Sequence, residues 1–166
     1  MAEPYTELLA KAKKEIDIAD HLMYVTYKLV SEVKILLAIS EHIVKATHAA
    51  LESLLEFERH WKRLEPYHQN FALEISIYRN KDVEKRYGFD PKFFRLMQKL
   101  LEIDKVDKTS IMRFRRGDRY ILSTGDYQMS VLDIESMKRY KYIAQRFIES
   151  VTAIIEKQAV SQNKAY

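Results

Sequence analysis

Between Thr6 and Leu64 the chain contains neither glycine nor proline. These are the usual helix breakers, so the whole stretch can be helical. A single straight helix of that length would run about 90 Å at about 1.5 Å per residue, too long for a compact domain of 166 residues. The segment must therefore fold back on itself. A turn is expected within residues 29–35, with Ser31 as the N-cap of the second arm, giving a long antiparallel helical hairpin over residues 6–64.

The apolar spacing supports two arms. Leu9, Ala12, Ile16, Ala19, Met23, Thr26 and Val30 recur at steps of three and four. Leu36, Ile39, Ile43, Ala46, Ala50, Leu54, Phe57, Trp61 and Leu64 repeat the pattern. Each set lies on one helical face and needs a partner to cover it. Thr6 is the expected N-cap of the first arm, and Pro66 closes the second.

The rest of the chain is punctuated differently. A short helix is expected over residues 69–78, then a charged linker over residues 79–90. Asp90 followed by Pro91 is a helix start, and that helix should fade near Asp104. From Ile111 the texture becomes β-prone, with Gly117-Asp118 and Gly125-Asp126 as turns, so a hairpin or three-stranded meander is expected over residues 111–132. Asp133 then caps a final helix over residues 133–158, and the polar tail from Ser161 to Tyr166 should fray. The expected architecture is one mainly α domain, a helical bundle built on the long hairpin with a small β-hairpin before the last helix.

Composition narrows the chemistry. With no cysteine, a disulfide framework, a thiolate zinc site and a cysteine nucleophile are all excluded. Glycine occurs only at positions 88, 117 and 125, so neither a phosphate-binding loop nor a dinucleotide fingerprint can be written. No membrane-spanning run and no signal peptide are expected, and the default location is cytoplasmic. The net charge of +4 is uneven: residues 1–78 carry −3 and residues 79–166 carry +7. The second half is thus a candidate for contact with a polyanion.

Three groups of residues invite a functional reading. His48, Glu52, Glu56 and His60 follow one another at i+4 along the second arm. Such a ladder drifts about 40° per step, so the four cannot converge on one ion. The expectation is a solvated stripe, with no metal and no cofactor, and with His21 and His42 partly buried. Arg113, Arg115, Arg116 and Arg119 cluster at the expected hairpin beside Phe114 and Tyr120. Guanidinium groups grip phosphates and aromatic faces stack bases, so these arginines are the candidate RNA or DNA contacts. Among the tyrosines, Tyr24, Tyr27, Tyr78 and Tyr140 are expected at the core edge with hydroxyls reaching water.

The second arm, with Ile39-Ser40-Glu41-His42-Ile43 and Ala49-Ala50-Leu51-Glu52, resembles HEPN-type helical domains and small archaeal proteins related to them. The run Ile111-Met112-Arg113-Phe114-Arg115 leading to Leu132-Asp133 has the same character. Ribonuclease members of that superfamily carry an arginine, four to six residues, then a histidine near the start of the closing helix. The match here is Arg63 with His68, which makes these two the candidate catalytic residues. They straddle Pro66 at the end of the second arm, and no histidine follows His68. The resemblance therefore implies a non-catalytic module. The leading expectation is a non-enzymatic interaction module that self-associates through a helix face bearing Leu22, Leu29, Leu37, Val44, Leu51 and Leu55. The alternatives are nucleic-acid binding through the basic second half, and an Arg63–His68 ribonuclease.

Overall fold

In the computed structural model, residues 3–163 are described. The reading of the first two residues and of the last three lies outside them. Helix α1 (Pro4–His21) continues through a π-helical turn (Leu22–Thr26) into α2 (Tyr27–Val30). Ser31 then takes a left-handed conformation, with φ 48°, and reverses the chain. Helix α3 (Ile35–His60) returns antiparallel to α1, as the bond from Ser53 Oγ to the Tyr5 carbonyl (2.6 Å) and the Glu15–His42 pair show. The hairpin and the place of its turn are as expected. Ser31, however, ends one arm rather than capping the next, and α1 starts at Pro4 ahead of Thr6.

The π turn has a consequence for the first stripe. Leu9, Ala12, Ile16, Ala19 and Met23 are buried as expected, but Val30 is 58% exposed. An i→i+5 turn inserts a residue into the helical repeat and rotates everything after it. The face that Met23 shares with Leu9 is thereby lost before Val30.

Helices α4 (Phe71–Asn80), α5 (Val83–Tyr87) and α6 (Pro91–Thr109) follow. Asn70 caps α4 by accepting from the Leu73 amide, and Asp90 caps α6 by accepting from the Lys92 amide. Helix α5 occupies the segment expected to be a linker, and α6 runs five residues past Asp104. The final helix α7 (Ile134–Asn163) is capped by Asp133 and outlasts its expected end at residue 158. Helix α7 packs against α3 and α1, while α4 and α6 pack on α3. The interior is made by Leu36, Ile39, Ile43, Ala46, Ala50, Leu54 and Phe57 from α3 with Met137, Ala144, Phe147 and Val151 from α7. Tyr78, Phe89 and Phe93 close around Phe147, with ring centroids 5.3–6.2 Å from it. Tyr78 is fully buried and its hydroxyl has no partner among the described residues, contrary to the expected water contact. His21 is exposed rather than partly buried.

Strands β1 (Ser110–Arg116), β2 (Arg119–Thr124) and β3 (Met129–Leu132) form an antiparallel meander in the order β1-β2-β3. The sheet rests on α6 through β2 and β3, and β3 also touches α3. Leu122 and Leu132 join the main core, whereas every residue of β1 after Ser110 is exposed. No helix is long and apolar enough to cross a membrane among the described residues.

Candidate functional site

Side chains alternate across a strand, so register decides what each face of the sheet presents. Arg113 pairs with Leu122, Phe114 with Ile121, Arg115 with Tyr120 and Arg116 with Arg119. On the other side Ile121 pairs with Val131 and Ser123 with Met129. The face turned from the helices therefore carries Met112, Phe114, Ile121, Val131 and Met129. Ile121 is buried by its sheet neighbours but lies outside the main core. The others remain open: Met112 at 57%, Met129 at 50%, Val131 at 43% and Phe114 at 37%. A contiguous apolar face of this kind on a protein surface is characteristic of a contact site.

The same register divides the arginines. Arg113 and Arg115 lie on the face with Leu122 and Tyr120, and Arg116 and Arg119 lie on the apolar face beside the Gly117-Asp118 turn. Arg113 is tied to the Asp107 carboxylate (2.9 Å) and to its carbonyl (3.1 Å). The Arg115 Nε donates to the Gly117 carbonyl at 2.8 Å. Thus the four do not form one basic patch. Arg116 and Arg119 stand directly opposite each other, and no ion pair to either is present among the described residues. Asp126 sits in the loop at the opposite end of β2.

The helix face expected to carry self-association is largely used up inside the molecule. Leu37, Leu51 and Leu55 are buried, and Leu22 and Val44 are half-buried against the core. Leu29 alone of the six stands free, at 79% exposed.

Arg63 and His68 are placed differently from each other. Helix α3 carries Glu58 on its inward face, where the side chain is fully buried. Arg63 grips that carboxylate through Nε (2.7 Å) and Nη2 (3.2 Å), and Arg86 Nη1 and the Tyr87 hydroxyl also donate to it. These bonds raise the Arg63 pKa, chiefly through the hydrogen bond to Glu58. Burial, followed by the bond to Glu58, pushes the Tyr87 hydroxyl up to about 12. Arg63 is thus part of a clamp that holds α5 onto the end of α3. His68 is exposed in the following loop, and no hydrogen bond joins it to Arg63 among the described residues.

The histidine–carboxylate ladder is not a solvated stripe. His48, Glu52 and Glu56 are half-buried, and only His60 is exposed. The ladder does not converge by itself, but α4 adds Glu74, whose side chain is fully buried and meets His48 Nε2 at 2.7 Å. Phe71 lies beside the imidazole, with ring centroids 4.8 Å apart. Burial, then the neighbouring Glu74, raises the Glu52 pKa, against smaller opposing effects of His48 and Lys11. Tyr67 donates to Glu56 Oε1 at 3.3 Å and closes the end of the group.

No protein-family model, curated protein or solved structure matches this chain.

Proposed function

We propose that this protein is a non-enzymatic interaction module that pairs with a second copy of itself through the outer face of its sheet. The observation that carries the reading is the apolar face of Met112, Phe114, Val131 and Met129. An aromatic flanked by methionines is the composition enriched at the centre of protein contacts. Charge favours a second copy as the occupant. The Arg116–Arg119 end is net positive even with Asp118 in its turn, and Asp126 lies in the loop at the other end. A two-fold axis perpendicular to the strands stacks two such faces with each positive end over the other end of the partner's face. That arrangement is isologous and closed, so it stops at a dimer.

Sedimentation velocity over a concentration series tests this reading, with Met112→Glu as the variant. Full burial of a methionine is worth about 1.5–3 kcal/mol. Met112 is 57% exposed and is counted twice in a symmetric dimer. Its loss should cost at least about 1.7 kcal/mol, or roughly 18-fold in dissociation constant. A parent protein that stays monomeric at tens of micromolar, or a variant that dimerises as well as the parent, overturns the reading.

A second reading rests on the Arg116–Arg119 pair. Like charges directly opposite in a sheet are destabilising, and an anion between them relieves that. If the occupant is a nucleic acid, replacing both with Gln makes the log–log salt dependence of binding shallower by about 1.8, at about 0.9 per phosphate contact on duplex DNA. No binding of RNA or DNA at low salt removes it.

A further inference from the structure

We propose that His48, Glu52 and Glu74 form a binding site for a first-row divalent metal ion of the Zn2+ class. One ligand atom from each lies within 4.8 Å of the others. Two come from successive turns of α3, and the third comes from α4, so the set spans two elements rather than one face of one helix. A nitrogen with two carboxylate oxygens suits Zn2+ and its first-row neighbours, whereas Ca2+ and Mg2+ favour all-oxygen sets.

The second observation lies in Glu74 itself. Its side chain is fully buried, yet among the described residues only Oε2 has a partner, the His48 ring. Oε1 is buried with no hydrogen-bond partner among the described residues. A buried carboxylate ordinarily has its oxygens satisfied, and an orphaned one marks a missing donor or cation. The surroundings accentuate this. Glu52 and Glu74 repel each other, and the positive influences on Glu52 are His48 and Lys11. Arg59 is engaged with Glu56 at 3.0 Å. A divalent cation would offset both carboxylates at once.

The ligand atoms, all within 4.8 Å of one another, need side-chain shifts of up to about 1.5 Å to meet one tetrahedral ion. Tetrahedral bonds of about 2.0–2.2 Å place two ligand atoms about 3.3 Å apart. His48 Nε2 and Glu74 Oε2 are now 2.7 Å apart, so they must separate by about 0.6 Å as the metal replaces the hydrogen between them. Asn70 and Phe71 fix the start of α4, and the Phe71 ring supports the imidazole, so the ligands are positioned by rigid elements. Clefts open on both sides of the group. One borders His48, Lys45 and Lys108; the other borders Glu52, Glu56 and Lys11. Each cleft thus brings solvent up to one ligand of the set.

The full chain, stripped with chelator, is titrated with Zn2+ and separately with Co2+, whose visible absorption reports low-coordinate binding. One equivalent should bind. His48→Gln and Glu52→Gln should each weaken binding by about 100-fold or more, since even outer-shell partners of a metal are worth about 10–100-fold. His60→Gln, at the exposed end of the ladder, should bind like the parent. Crystals of the unaltered protein soaked in Zn2+ should show anomalous density between His48 and Glu74, which keeps the test valid should a variant fold poorly. Absence of binding at 100-fold molar excess of Zn2+, retained binding in both ligand variants, or anomalous density only at His21, His60 or His68 overturns the proposal.

Discussion

Glu58→Gln should destabilise the fold more than almost any other single change that preserves shape. The amide has nearly the volume of the carboxylate, so no cavity opens. It replaces one acceptor oxygen with a donor, and that donor must face Arg63 and Arg86, which only donate, or Arg63 and the Tyr87 hydroxyl, whose bond to the carboxylate must then reverse. Two charge-assisted bonds are lost whichever way the amide turns. At about 1.5–3 kcal/mol each the loss would be about 3–6 kcal/mol. Arg63 is 32% exposed and Arg86 is 35% exposed, so both can turn partly to water, and the lower end is the better figure, about 3 kcal/mol. For a chain of this size about 1 kcal/mol shifts the melting temperature by 2–4 °C, so a drop of about 6–12 °C is expected. Thermal unfolding followed by circular dichroism measures it. A shift under about 2 °C would refute the clamp and return Arg63 to the group of free, functionally available arginines.

Glu41 has its pKa raised by burial first and then by Asp107, so its folded state holds the proton more tightly than its unfolded state. That contribution to stability is present at acid pH and is lost as pH rises from the ordinary carboxylate value through the raised one. Glu41→Gln should therefore flatten the stability profile across that window and stabilise the protein above it, by no more than about 0.5 kcal/mol at so exposed a position; denaturant titrations at acid and neutral pH check this. Tyr78→Phe should raise stability by about 1 kcal/mol in the same assay, because the buried hydroxyl it removes has no partner among the described residues.

Local signals made much of the fold legible. The Gly/Pro-free stretch implied the hairpin, and Asp90-Pro91 and Asp133 marked their helix starts because a cap acts within three residues. Helix α5 was illegible for the opposite reason. Its five residues are mostly charged, and what holds them in place is Glu58, at the far end of α3. Both buried clusters share one overlooked sign. Glu74 sits between Phe71, Ile75 and Tyr78, and Glu58 adjoins Leu54, Phe57 and Trp61, each an acid on an inward apolar stripe. An acid in such a place must find a partner in the interior. Which partner it finds depends on how separate helices dock, and no local spacing encodes that. The arginines were misgrouped because the one-residue alternation of β1 splits neighbours in sequence between two faces.

The self-association surface is tested most directly by single-cysteine cross-linking, for which the cysteine-free chain is a clean background. A short bismaleimide applied to Met112→Cys or Val131→Cys protein at micromolar concentration is expected to give a covalent species of twice the 19.7 kDa chain mass. Lys62→Cys serves as control, because it lies beyond the end of α3, about 30 Å along that helix from the Glu41 region next to the sheet. Cross-linking at both sheet positions and none at Lys62 is the expected result. A monomer at every position, or equal cross-linking at Lys62, contradicts the sheet as the meeting face.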